Sequence, residues 1–177
     1  KDGKSVATTM GATLQSGLFN NNRVGDFEAF CLPMLMEHYD GSMEKVLQIL
    51  AGQSGLLGLS GVSNDLRQVL QAMDAGNERA RLAVETLADN IVGYIGMYTA
   101  YLGGLDALVF TGGIGLHSDR IRKMVCAQLA YLNLELDEEK NAAANTEQIS
   151  TVGSSVGVYR IKTDEEIVVA RNVYTLL

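Results

Sequence analysis

Cysteine is almost absent from this chain. Only Cys31 and Cys126 occur, far apart and each in an apolar, helix-like context. That excludes a disulfide framework and the paired spacings of a zinc site. Both thiols are expected to be buried and reduced, as in the cytoplasm. Histidine is equally scarce. His38 and His117 share no metal-ligand spacing, and so few histidines give no Ser/His/Asp arrangement to read. His38 is expected at a helix end, and His117 stands where it can line a pocket. Positive charge is thin as well: 14 Lys and Arg, scattered, against 21 Asp and Glu, for a net charge of −7 and a pI near 4.8. A broad nucleic-acid footprint needs clustered cations, so nucleic acid is excluded as a partner. Anionic ligands would be met by single arginines, backbone amides or a metal ion. No apolar run approaches the roughly 18 residues of a membrane span, and no signal peptide opens the chain. Pro33 is the single proline, expected in the first turn of a helix or at a kink.

What is present is enough apolar material, 47% of 177 residues, for the core of one domain or of two small lobes. No internal repeat or low-complexity tract interrupts it. Lys1 to Lys4 reads as a turn and Lys4 to Thr9 as a strand, as though the segment began inside a hairpin. A glycine-punctuated loop follows from Gly11 to Gly25. Helices are expected over Asp26 to Tyr39 and, behind a Ser42 cap, over the stretch carrying Met43, Val46, Leu47 and Leu50. Leu56 to Ser63 reads as a loop of small residues. Ser63 or Asn64 is expected to cap a helix bearing Leu66, Val69, Leu70 and Met73. The longest helix should run from Asn77 to Leu102, with Ala80, Ala83, Val84, Leu87, Ile91, Ile95, Tyr98 and Leu102 on its inner face. Ala107 to Thr111 is expected as a buried strand, Asp119 to Leu132 as a helix, Val156 to Ile161 as a strand and Thr163 to Leu176 as a helix. Long helices alternating with few strands predict an α/β fold, a mixed sheet flanked by many helices and incomplete for its class.

The stretch with most chemical content is Leu105 to Ser118. An apolar strand enters Thr111-Gly112-Gly113-Ile114-Gly115, and helical periodicity resumes near Ser118. Glycines at such a junction let the backbone turn sharply and approach a ligand, which is one way to hold a nucleotide. Thr163-Asp164-Glu165-Glu166 reads as a capping box of Thr163 and Glu166, leaving Glu165 free to serve Mg²⁺ near phosphates. Asp65-Leu66-Arg67 opens a helix. There Asp65 suits the positive end, and Arg67 either pairs with it or reaches a ligand. In Asn20 to Asp26 a single arginine, Arg23, stands among small polar residues, a setting for clamping a phosphate or carboxylate. Thr8-Thr9-Met10-Gly11 offers hydroxyls and an amide near phosphates, or simply turns.

Taken in order, these pieces resemble the C-terminal half of the acetate and propionate kinases. Lys4 to Gly11 resembles the family's GKSVDTSMG, and Asn22 to Asp26 its TRSGD. Ser54 to Gly61 followed by Asp65-Leu66-Arg67 is similar to SGLLGISG and SSDxR. Phe110 to Ser118 resembles FTGGIGENS. Ile149-Ser150-Thr151 and Thr163 to Glu166 resemble IST and TNEE. The resemblance implies the actin-like, ribonuclease-H-like ATPase fold, built from two such domains, with residues 1–177 as the C-terminal nucleotide-binding and dimerisation domain. It implies that Arg23 stabilises the transferring phosphoryl group. Asp65, Leu66 and Arg67 would flank adenosine, and Gly113, Ile114, Gly115, Leu116 and His117 would line the adenine side. Glu165 would serve Mg²⁺. The implied activity is reversible phosphoryl transfer between ATP and acetate, or another short-chain carboxylate such as propionate or butyrate, by a cytoplasmic homodimer.

The sequence departs from the family pattern at Ala7 (an Asp in the family), at Leu116-His117 (Glu-Asn), at Ala29 (Pro) and across Thr13 to Gly17 (TPLEG). The family's first domain supplies an asparagine, an arginine, a histidine and an aspartate for the chemistry, with a phosphate loop expected upstream of Lys1, so this segment is expected to be inactive alone. The alternative reading is a nucleotide-sensing or dimerisation module without catalysis.

Overall fold

The computed structural model describes residues 1–176, and of Glu165 and Leu176 the backbone alone. The chain forms two compact units, Lys1–Gly104 and Leu105–Leu177.

In the first unit, residues 1–28 form no helix or strand, and a 3₁₀ turn at Ala29–Cys31 leads into α1 (Leu32–His38), α2 (Met43–Gly52), α3 (Gly55–Ser60), α4 (Leu66–Asp74) and α5 (Glu78–Leu102). Pro33 lies in the first turn of α1, where its missing N–H costs no helical bond. The helix expected from Asp26 therefore starts six residues later. The strand expected at Lys4–Thr9 is not formed. Alternation marks extended backbone, but a ladder needs a partner strand, and these residues pair with none among those described.

Ser42 caps α2 through a bond from the Lys45 N–H (3.3 Å). Asn77 caps α5 through the Ala80 N–H (3.0 Å). Gly103 closes α5 in the left-handed region (φ 76°), with the Gly104 N–H returning to Thr99 and that of Gly103 to Ala100. Asp65, not Ser63 or Asn64, caps α4, while Ser63 accepts the Asp65 N–H instead.

The core of this unit is where α3 and α4 pack on α5. Leu56, Val69, Ala80, Ala83, Val84, Leu87 and Ala88 are buried there. Alanines at the contact let the helices approach closely. Ile91, Ile95, Tyr98 and Leu102 continue the same face but are only half-buried. The residues expected to form a loop, 56–63, include helix α3. Its glycines argue against a helix by propensity, yet packing of Leu56 and Ser60 against α5 prevails.

The second unit is a strand–helix–strand crossover. β1 (Ala107–Phe110) and β2 (Gly157–Arg160) pair in parallel with Ala107 opposite Gly157 and Phe110 opposite Arg160. Between them lie α6 (Gly112–His117), α7 (Asp119–Gln128), a 3₁₀ turn at Ala130–Leu132 and α8 (Glu138–Ala142), and α9 (Glu165–Leu176) follows β2. Among the described residues the sheet is parallel, not the mixed one expected, because a helical crossover joins its two strands; Gln148 adds only an isolated antiparallel bridge to Tyr159. β1 is not the buried strand anticipated: only Phe110 is buried, and Val109 is half exposed. Ile121, Val125, Leu129, Ile149, Val156 and Val158 make the core. Cys126 is buried, and burial pushes its thiol up to about 12, so it stays protonated. Cys31 is only partly buried, against expectation, since it ends the 3₁₀ turn before α1, and neither that turn nor α1 carries a buried residue. Among the described residues no helix is long and apolar enough to cross a membrane.

Candidate functional site

Arg23 stands on a segment held from three directions. At its base, the Asp26 N–H donates to the Gly17 carbonyl and the Gly17 N–H donates to Asp26 Oδ1, both at 2.8 Å. Gly17 (φ 89°) and Gly25 (φ 75°) adopt backbone that other residues avoid, and a Cβ on Gly25 would fall 2.6 Å from the Gly17 carbonyl oxygen. Above, the first turn of α3 finds its acceptors on this segment. The N–H groups of Ser54, Leu56 and Leu57 donate to the carbonyls of Asn22, Asn20 and Asn21 at 2.9–3.0 Å. The free amides of a helix start are thereby satisfied. From α2, the Leu50 carbonyl accepts the Val24 N–H at 2.9 Å. Gly55 (φ 58°) is pressed so close that a Cβ would lie 2.0 Å from the Asn20 carbonyl oxygen and 2.6 Å from that of Arg23. The guanidinium of Arg23 donates through Nη1 to the Leu14 carbonyl at 2.7 Å. A cavity of about 460 Å³ opens beside this segment, lined by Thr13, Gln15, Val24, Asp26, Phe27 and Leu50 among others.

Asp65 and Arg67 meet at the start of α4. The Asp65 carboxylate accepts the Arg67 N–H at 2.9 Å and pairs with its guanidinium, Nη2 to Oδ2 at 2.6 Å. That partner holds the Asp65 pKa below the usual carboxylate range. The Arg67 side chain is 87% exposed. Of the two roles open to it on sequence, Arg67 takes the pairing one here. Leu66, between them, is buried and anchors the turn.

In the second unit the glycine stretch is not an open turn but the helix α6 itself. Thr111 follows β1 with extended backbone, Gly112 turns in the left-handed region (φ 67°), and Gly113, Ile114, Gly115, Leu116 and His117 complete two short turns. A Cβ on Gly112 or Gly113 would meet nothing within 4 Å, so that face is open. Gly115 is different: a Cβ there would fall 3.3 Å from the Phe110 backbone, so its missing side chain lets α6 lie close on Phe110.

Arg122 holds α6 from below. It is only 1% exposed. Nη1 donates to the carbonyls of Gly115 (2.8 Å) and Leu116 (2.9 Å), Nε to Asn141 Oδ1 (2.6 Å) and Nη2 to the Asn141 carbonyl (2.7 Å). One arginine therefore caps the ends of α6 and α8 together. Burial, with the nearby Arg160 charge, pushes its pKa down. Arg160 in turn ties the 143–146 loop through the carbonyls of Ala143, Ala144 and Thr146. Leu116, His117, Arg122, Asn141, Arg160 and Lys162 belong to the lining of a cleft of about 700 Å³. Sequence reasoning missed Arg122, because a lone arginine within an amphipathic helix carries no mark of burial.

At the C-terminal ends of the two parallel strands, where α/β proteins place ligands, the hydroxyls of Thr111 and Thr163 lie 3.1 Å apart. The capping box expected of Thr163 and Glu166 is replaced by Asp164, whose Oδ1 accepts the Ile167 N–H at 3.1 Å. Thr163 is diverted by Thr111. The side chain of Glu165, the expected metal ligand, lies outside the described residues. Asp65, Leu66 and Arg67 are brought together, as are Gly113 to His117, whereas Arg23 bonds elsewhere, to Leu14.

These features coincide with a known group of proteins. The family model described as the acetokinase family matches residues 1–171. An acetate kinase from Clostridium novyi is 43% identical over 173 residues, covering 97% of this chain and 43% of that protein. A propionate kinase from Citrobacter rodentium is 47% identical over 173 residues, covering 98% and 43%. Among solved structures, acetate kinase from Porphyromonas gingivalis superposes with a TM-score of 0.91 at 37% identity over 99% of this chain and 44% of its own. A propionate kinase from Francisella tularensis gives 0.87 at 36% over 97% and 44%. The fold is therefore the actin-like α/β fold of these kinases, and the chain spans less than half the length of the relatives it matches. The chain belongs to the acetokinase family.

Proposed function

We propose that this chain is the C-terminal nucleotide-binding and dimerisation part of a two-domain kinase that moves a phosphoryl group reversibly between ATP and a short-chain carboxylate, acetate or propionate. The observation that carries this reading is the fixing of Arg23. Its segment is held by backbone bonds to Gly17, to α2 and to α3, while its guanidinium donates to a main-chain carbonyl and, among the described residues, no carboxylate partner neutralises it. A rigidly mounted cation of this kind suits the charge that gathers on the equatorial oxygens of a phosphoryl group in flight. Its planar fork can exchange the Leu14 carbonyl for phosphoryl oxygens.

Asp65, Leu66 and Arg67 are assigned to flank the adenosine, and Gly113, Ile114, Gly115, Leu116 and His117 to its adenine side. The open face at Gly112 and Gly113 supports the second assignment, because a planar base stacks where no Cβ intervenes. Glu165 is assigned to Mg²⁺, a hard cation that takes carboxylate and phosphate oxygens and, when bound, offsets phosphate charge. Two free thiols fit a reducing cytoplasm. The exposed Leu82, Met97 and Tyr101 of α5 are assigned to pairing with a second copy.

Substitution of Arg23 in the full-length protein tests the reading. Arg23→Ala is expected to lower kcat by about 10³-fold or more while the nucleotide Kd moves by less than about threefold. Equal loss of both would mean that Arg23 only holds its loop.

A further inference from the structure

The segment that carries Arg23 closes on itself at Gly17 and Asp26, and Asp26 does more than close it. Its Oδ1 accepts the Gly17 N–H, and its Oδ2 accepts a hydrogen bond from the hydroxyl of Tyr94, 68 residues further along the chain. Tyr94 belongs to α5, the longest helix described, and lies beyond the part whose Ala80–Ala88 face is buried in the core. One carboxylate thus receives two donors at once, from the loop and from a rigid helix. A hydroxyl donating to a carboxylate makes a charge-assisted bond, stronger than one between neutral groups.

Packing alone does not require that hydroxyl. The neighbouring Tyr98, one helical turn on, with ring centroids 6.1 Å apart, contributes its ring to the same surface, and its hydroxyl has no hydrogen-bond partner among the described residues. The bond to Asp26 pushes the Tyr94 hydroxyl up to about 12, so it remains a donor throughout the neutral and mildly alkaline range.

We propose that Tyr94 is a positioning residue for Arg23: through Asp26 it ties the base of the 17–26 loop to α5 and sets where the Arg23 guanidinium stands during phosphoryl transfer. The inference rests on the role proposed for Arg23. The tether engages the second oxygen of Asp26 where the loop is already tight: a Cβ on Gly25 would fall 2.6 Å from the Gly17 carbonyl oxygen, and one on Gly17 would fall 2.2 Å from the Thr9 carbonyl oxygen.

The test uses the full-length protein and five variants: Tyr94→Phe, Tyr98→Phe as a packing control, Asp26→Asn as the conservative replacement, and Arg23→Ala alone and combined with Tyr94→Phe. Tyr94→Phe is expected to speed hydrogen exchange of the 17–26 amides and to lower kcat, each by about tenfold or more, with the ATP Kd within about twofold. Asn at position 26 keeps an acceptor for Gly17 and donates to the Tyr94 oxygen, so it is expected to retain most of the activity. Tyr98→Phe is expected to change neither exchange nor kcat. In the Arg23→Ala background, Tyr94→Phe is expected to leave kcat within about twofold, because its effect passes through Arg23. Unchanged exchange and kcat in Tyr94→Phe would overturn the proposal, as would a kcat loss of the same size with and without Arg23. Full activity of Arg23→Ala alone would instead remove the role of Arg23 itself, an outcome told apart because loop exchange is measured without turnover.

Discussion

Taking a guanidinium out of water is costly unless every donor finds an acceptor. Arg122 places each of its three guanidinium nitrogens on neutral carbonyl or amide oxygens from α6 and α8, in four hydrogen bonds. The choice of partner matters. A carboxylate would hold the arginine at one point, whereas carbonyls from two helix ends let one side chain join two elements. The last carbonyls of a helix carry partial negative charge, so a cation there is favourable on electrostatic grounds as well. Arg122→Met removes the donors and strands several buried acceptors. Each unsatisfied group costs about 1–3 kcal/mol. Urea unfolding is expected to show a loss of about 3 kcal/mol or more, with Arg122→Lys in between, because a single ammonium does not span both helix ends. A loss under about 1 kcal/mol for the methionine variant would show that water replaces the guanidinium freely.

Helices α3, α6 and α8, of five or six residues each, are too short to persist alone and are held by groups outside their own turns. In α3 the first amides go to the Asn20–Asn22 carbonyls, and Arg79 closes the other end by donating to the carbonyls of Gly58 and Leu59. Arg122 does the same for α6 and α8. This is why α3 was illegible: GLLGLS reads as a loop until the acceptors for its ends are known. The long α5 was legible almost to the residue, because its Asn77 cap, apolar period and Gly103-Gly104 stop are all local. The 4–9 segment failed for the opposite reason, since strand pattern is local but strand pairing is not. Gly55 tests the docking of α3 on the Arg23 loop. In Gly55→Ala the left-handed backbone costs about 1–2 kcal/mol, and a Cβ 2.0 Å from the Asn20 carbonyl oxygen adds to it by forcing the backbone apart. Gly76 also has a left-handed backbone (φ 88°) but open space around it, so Gly76→Ala is expected to cost only the first part. Thermal melts of the two variants are expected to differ, with Gly55→Ala the lower. Equal melting points would mean that the loop yields without resistance.

For the molecule as a whole, two units share one chain, and each carries part of the proposed machinery: Arg23 and Asp65–Arg67 in the first, Gly113–His117 in the second. Composition and periodicity were enough for the α/β class and for α2, α4, α5, α7 and both strands of the sheet. Of the candidate site, residue chemistry singled out Arg23, the glycine stretch and Glu165, but only resemblance gave them roles. Tyr94 and Arg122 stayed hidden because helical periodicity says nothing about which polar atom a side chain meets. The relatives are acetate and propionate kinases more than twice the length of this segment, so the account stands or falls with the full-length protein. The most direct measurement is acyl phosphate formation, trapped as the hydroxamate, by that protein with ATP, Mg²⁺ and acetate or propionate. The account predicts acyl phosphate formed in step with ADP. Tight ATP binding with no acyl phosphate from any short-chain carboxylate would contradict it and leave a nucleotide-sensing module in its place.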